Sequence, residues 1–165
     1  MVKLPAKPPR NQNTDMTAHS RAGAYFTELL FETFRFYSRI NATGDLLSAG
    51  TGLTSARWRV LGSVLPMPKS VAQVARERGL TRQSVQQIAN SLVADGFAKF
   101  EENERHKSSK LLTPTEKGRS TVLALNQRIM PWAHNMGATV KLQDLMTTLN
   151  VLAQLQEALE ENQPY

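Results

Sequence analysis

The sequence predicts a mainly α fold of the α+β kind, in which helices carry the chain and one strand pair interrupts them. Three observations lead there. Apolar residues recur at helical spacing towards both ends, two short capped helices meet across a glycine in the middle, and a single strand–turn–strand run follows. The 165 residues are the length of one domain, and an apolar content of 41% supplies a core. The longest uninterrupted apolar run, Val122 to Leu125, is too short for a transmembrane helix or a secretory h-region. Cysteine is absent, which removes disulfides, thiolate metal sites and cysteine nucleophiles together. A cytoplasmic protein with no membrane partner and no cofactor is expected.

Residues 1–18 hold Pro5, Pro8 and Pro9 and read as a flexible basic tail. A single domain is expected over 19–162. Its first helix spans about 19–40, with Tyr25, Phe26, Leu29, Leu30, Phe36, Tyr37 and Ile40 at helical spacing. Phe31 and Phe34 lie off that stripe, so the helix should be buried on more than one side. Gly44, Gly50 and Gly52 predict a break after it. Thr54 caps a short helix that Pro66 and Pro68 stop; Ser70 caps the next, 71–78, closed by Gly79. Thr81 caps a third, running to about Asp95 and closed by Gly96.

Residues 97–101 and 109–113 read as the two strands of a hairpin. Thr113 is then expected to cap a long helix with Pro114 in its first turn, bending or breaking at Pro131. In the last helix, 141–161, Leu142, Leu145, Leu149, Leu152 and Leu159 form a heptad-like stripe that should pack on another helix.

Residues 71–88 combine a small Ala75 at a helix crossing, a reversing Gly79, and Val74, Leu80, Val85 and Ile88 to fill the crevice. This is the pattern of a helix-turn-helix. It leaves Arg82, Gln83, Gln86, Gln87 and Asn90 facing outward, and no acid occurs from Thr81 to Ala94. Amides and arginine are the groups that pair bidentately with adenine and guanine edges in the major groove. Thr81 and Ser84, at the helix start, offer donors to phosphate. The hairpin carries Arg105, His106 and Lys107 at its tip and Lys110 on the return strand, and would act as a wing reaching an adjacent minor groove. Charge agrees: residues 54–118 carry eleven basic and six acidic residues, five of the chain's net +6. The expected partner is double-stranded DNA.

The order of parts resembles the MarR family of winged helix-turn-helix transcriptional regulators over roughly residues 19–162. Trp58-Arg59-Val60-Leu61, Val74-Ala75 through Val85, Leu92 through Phe97, and Leu112 through Gly118 carry the resemblance. Thr115-Glu116-Lys117-Gly118 matches a family signature after the wing, with Pro114 in place of leucine. The family's acid-x-arginine wing pattern is replaced here by His106, Lys107 and Ser108.

The resemblance implies a homodimer whose interface is formed by 19–52 and 119–162, with 54–118 as the DNA-binding part. It also implies a regulator, read as a repressor, that a small aromatic or phenolic effector releases from a pseudo-palindromic operator. Tyr25, Phe34, Arg35, Tyr37, Arg57 and Trp58 are the candidates to line the effector cavity. The rival reading is a non-sequence-specific architectural nucleic-acid-binding winged helix without an effector. An enzyme is not expected: His19, His106 and His134 are scattered, and no phosphate loop, nucleophile elbow or carboxylate pair accompanies them. No metal site is expected either.

Overall fold

The structure, a computed structural model, describes residues 20–104 and 109–162. The order is α1 (Arg21–Ser48), α2 (Ser55–Ser63), β1 (Lys69–Ser70), α3 (Val71–Arg78), α4 (Arg82–Ala94), β2 (Ala98–Glu101), β3 (Leu111–Pro114), α5 (Glu116–Gly137) and α6 (Leu142–Glu161). A mainly α fold with a small antiparallel sheet and a winged helix-turn-helix is therefore present. The chain divides into two units between Ile40 and Asn41. The expected tail and His19 lie outside the described residues.

In the first unit, α1 residues 31–39 are all exposed, among them Phe31, Phe34, Phe36 and Tyr37. The expected burial on more than one side is thus not seen at these positions among the described residues. Arg35 is held by Glu28 and Glu32, at 3.2 and 2.6 Å.

The second unit holds the core. Val60, Leu61, Val64, Val74, Val85, Ala89, Leu92 and Leu112 are fully buried, so α2, α3, α4 and β3 converge on one apolar centre. The sheet order is β1-β3-β2, all antiparallel, with Lys69 opposite Leu112 and Phe100 opposite Leu112 from the other side. The two-residue β1 is not signalled by the sequence, because two residues carry no periodicity.

Several boundaries differ from expectation, each for a physical reason. Helix α1 continues through Gly44, where a side chain would meet Ser55 Oγ at 2.5 Å; this glycine serves close packing, not chain reversal. The reversal falls at Gly50 and Gly52, with φ of 79° and 78°. Thr113 and Pro114 belong to β3, paired with Lys99 and Ala98, and the cap of α5 is Thr115, whose Oγ1 accepts from Gly118 N at 3.1 Å. Helix α5 also passes Pro131 without interruption. Proline deprives the carbonyl four residues back of its amide, and Gln127 there is exposed to water.

Candidate nucleic-acid interface

The helix-turn-helix is built from its caps inward. Ser70 and Gln73 form a reciprocal capping box on α3. Gly79 closes α3 in the left-handed region at φ 62°, and Leu80 N reaches back to Ala75 O at 2.9 Å. Thr81 then caps α4 through Ser84 N at 3.1 Å. Val74 and Val85 are fully buried, with Leu80 and Ile88 packed on the same core. The buried stripe of α4 is Val85, Ala89 and Leu92.

That packing turns Arg82, Gln83, Gln86, Gln87 and Asn90 out to solvent, with Thr81 exposed and Ser84 half-buried beside them. Gln86 Nε2 donates to Asn90 Oδ1 at 2.8 Å. Between this face and the root of the wing lies a cleft of about 360 Å3, lined by Val71, Gln86, Phe100, Ser109 and Lys110.

The distribution of ion pairs sharpens the charge argument. Lys69 pairs with Glu77, Lys99 with Glu101 at 2.8 Å, and Arg57 with Asp95 at 2.6 Å. Arg76, Arg78, Arg82 and Lys110 are exposed and pair with no acid among the described residues. Arg76 and Arg78 were not singled out by the sequence; at the end of a helix, basic residues read as partners of the helix dipole. What marks them is that Glu77, the acid between them in sequence, is taken by Lys69. Arg105, His106 and Lys107 lie outside the described residues.

A side-chain bond joins the wing strands near their loop end. Glu101 accepts from Thr113 Oγ1 at 2.7 Å and from Lys99, and the ammonium first, then the hydroxyl, holds its carboxyl below the usual carboxylate range. Behind α4, Arg57 donates to Gly52 O, Ser91 O and Asp95, and lies 5.4 Å from the Phe97 ring. Lys117 donates to Asp95 O at 2.7 Å and stands 4.2 Å from the same ring. The end of α4 is thereby bound to α2 and α5.

The candidate effector residues fall in both units. Tyr25, Phe34 and Tyr37 are exposed on α1, with Arg21 near the Tyr25 ring, and Arg35 is engaged by its two glutamates. In the second unit Arg57 is committed to the α4 end, and Trp58 packs half-buried against the core. The Trp58 Nε1 and the Arg57 Nε are buried with no hydrogen-bond partner among the described residues. Among the described residues, no three His, Cys, Asp or Glu side chains gather as metal ligands.

A family model described as "MarR family" matches residues 51–107, which span the α2-to-wing segment just described. An uncharacterized protein of Mycobacterium tuberculosis is 33% identical over 136 residues, covering 82% of this chain and 95% of its own. The chain belongs to the MarR family. The transcriptional activatory protein BadR of Rhodopseudomonas palustris is 26% identical over 132 residues, covering 77% of this chain and 75% of BadR. Two solved MarR-type structures share the fold. The M. tuberculosis regulator MOSR in complex with DNA has a TM-score of 0.67 at 18% identity, covering 78% of this chain and 96% of that one. Staphylococcus aureus MarR in complex with salicylate and kanamycin has a TM-score of 0.69 at 16% identity, covering 88% and 99%. Family and fold are those of DNA-binding transcription regulators, not of enzymes. Among the described residues, no helix is long and apolar enough to cross a membrane.

Proposed function

We propose that this MarR-family chain works in the cytoplasm as a homodimer, occupies a pseudo-palindromic DNA operator as a repressor, and leaves it when a small aromatic or phenolic molecule binds. The observation that carries the reading is the exposed α4 face: four amides and one guanidinium, no acid, and around it Arg76, Arg78, Arg82 and Lys110, which pair with no acid among the described residues. Thr81, Arg82, Gln83, Ser84, Gln86, Gln87 and Asn90 would meet the major groove, with Lys110 and the tip residues Arg105, His106 and Lys107 on the backbone and minor groove. Residues 54–118 are the DNA-binding part in this reading. The exposed apolar residues of α1, α5 and α6 would form the dimer contact, including Phe34, Leu123, Met130, Leu142 and Leu149. Two-fold symmetry then spaces the recognition helices about one DNA turn, ~34 Å, apart.

The effector part of the proposal rests on Trp58, whose buried N–H lacks an acceptor that a carboxylate or phenol oxygen could supply, and on a ligand that prefers the dimer geometry unable to span both grooves. The S. aureus MarR structure in complex with salicylate and kanamycin supports an aromatic acid as the kind of ligand.

Footprinting of the purified full chain on genomic DNA, followed by titration of the protected duplex against a random one over a salt series, tests the proposal. A symmetric footprint is expected, overlapping a promoter, with log affinity falling linearly in log salt. Eight free cations per dimer alone give a slope of about −7. Equal affinity for random duplex would instead establish the architectural reading, and a protected site wholly upstream of promoter elements would assign the activating role that BadR bears in its name.

A further inference from the structure

The outward residues of α4 are not equivalent. Arg82, Gln83 and Gln87 make no side-chain hydrogen bond with any described residue. Gln86 has a fixed partner: its Nε2 donates to Asn90 Oδ1 at 2.8 Å, and its side chain also lines the cleft that Val71, Phe100, Ser109 and Lys110 complete. Both amides are exposed, so neither is occupied by the core. We infer that Gln86 is the adenine-reading residue of the recognition helix and that Asn90 is its positioning residue, an inference that rests on the DNA-reading proposal above.

The chemistry follows from counting what the bond to Asn90 leaves. A primary amide has two N–H donors and one carbonyl acceptor. Giving one N–H to Asn90 leaves the other N–H and Oε1 side by side on the free edge. Adenine presents an N6 donor beside an N7 acceptor in the major groove, which is the complement of that edge. Guanine presents two acceptors there, so Oε1 would face an acceptor. Thymine offers one acceptor and a methyl group, and cytosine one donor, so each leaves half of the edge unpaired. Reversing both amides together keeps the same edge free, because Asn90 then donates to the far side of Oε1. Asn90 also holds the glutamine in one rotamer before DNA arrives, reducing the entropy lost on binding. Lys110, on the rim of the cleft, is placed to meet a phosphate beside the base that Gln86 reads.

The test is selection from a randomised duplex pool by the full-length protein and by Gln86→Glu, Gln86→Ala, Asn90→Ala and the control Gln83→Ala, with affinities for the selected and substituted duplexes. The wild type is expected to prefer adenine at one position in each half-site, by roughly ten- to a hundredfold over guanine. Gln86→Glu should move that preference to cytosine, whose N4 donor a carboxylate accepts, and Gln86→Ala should erase it. Asn90→Ala should keep adenine as the preferred base but lower affinity for the adenine duplex several-fold more than affinity for random duplex; a merely helix-stabilising Asn90 would lower all affinities alike. Gln83→Ala should leave this position untouched. Gln86 variants that weaken every duplex equally while retaining the adenine preference overturn the inference and leave the operator-binding proposal standing. A wild type that selects no sequence overturns both.

Discussion

Gly118 lies so close to the backbone of Phe97 that an added Cβ would stand 2.0 Å from the Phe97 carbonyl oxygen, far inside contact distance. Its neighbours explain why that approach matters. Thr115 N donates to the same carbonyl at 3.0 Å, Thr115 Oγ1 donates to Gly96 O, and Lys117 reaches Asp95 O. The residues that resemble a family signature are thus a clasp fastening the start of α5 to the turn that ends the recognition helix. The atom in the way is backbone, which cannot rotate aside. Gly118→Ala is expected to cost about 1–3 kcal/mol of stability, read as a lower urea midpoint with unchanged slope. Gly62→Ala, where nothing lies within 4 Å, should change the midpoint little or raise it slightly. Equal midpoints for the two variants would refute the clasp.

At the scale of elements, a carboxylate adds a side-chain bond to the backbone pairing of the wing. Glu101 on β2 joins Thr113 on β3 and Lys99 beside it, and these contacts hold its pKa below the unfolded value. A lowered folded pKa means the contribution is fully present above the ordinary carboxylate range and is lost as pH falls through the folded value. Amide exchange of β2 and β3 should therefore quicken in acid relative to the α4 core, and Glu101→Gln should remove that extra pH dependence. A wing whose relative protection is the same in both proteins would show that Glu101 does not tie the strands.

The element level is also where sequence and structure part. Caps read well, because Ser70, Gly79 and Thr81 each act within four residues of the group they satisfy. Helix α4 and its outward amides read well for the same reason, since a 3.6-residue period is local. What could not be read depends on neighbours distant in the chain. Gly44 serves packing because Ser55 lies against it, and Thr113 is a strand residue because Lys99 pairs with it. Arg57, offered as an effector ligand, is held by Asp95, which lies 38 residues away. Arg76 and Arg78 stand out only once Glu77, which lies between them, is seen to pair with Lys69.

At the scale of the whole molecule, the question is what covers the terminal helices. Helix α6 contributes no buried residue, and its heptad-like leucines are largely open, with Leu142 exposed by 72% and Leu149 by 68%. An amphipathic helix with its apolar face in water is costly to leave uncovered, and the proposed second copy supplies the cover. Leu149→Glu tests this with little risk to folding, since the core formed by α2, α3, α4 and β3 draws nothing from α6. The variant should retain a cooperative unfolding transition yet sediment as a single chain where the wild type sediments as two. Its operator affinity should fall at least tenfold, because the second half-site loses the high effective concentration that tethering provides. Its affinity for an isolated half-site should stay that of the wild type, as α4 and the free cations are unchanged. A variant that still sediments as two chains would show that the covering surface lies elsewhere than along α6.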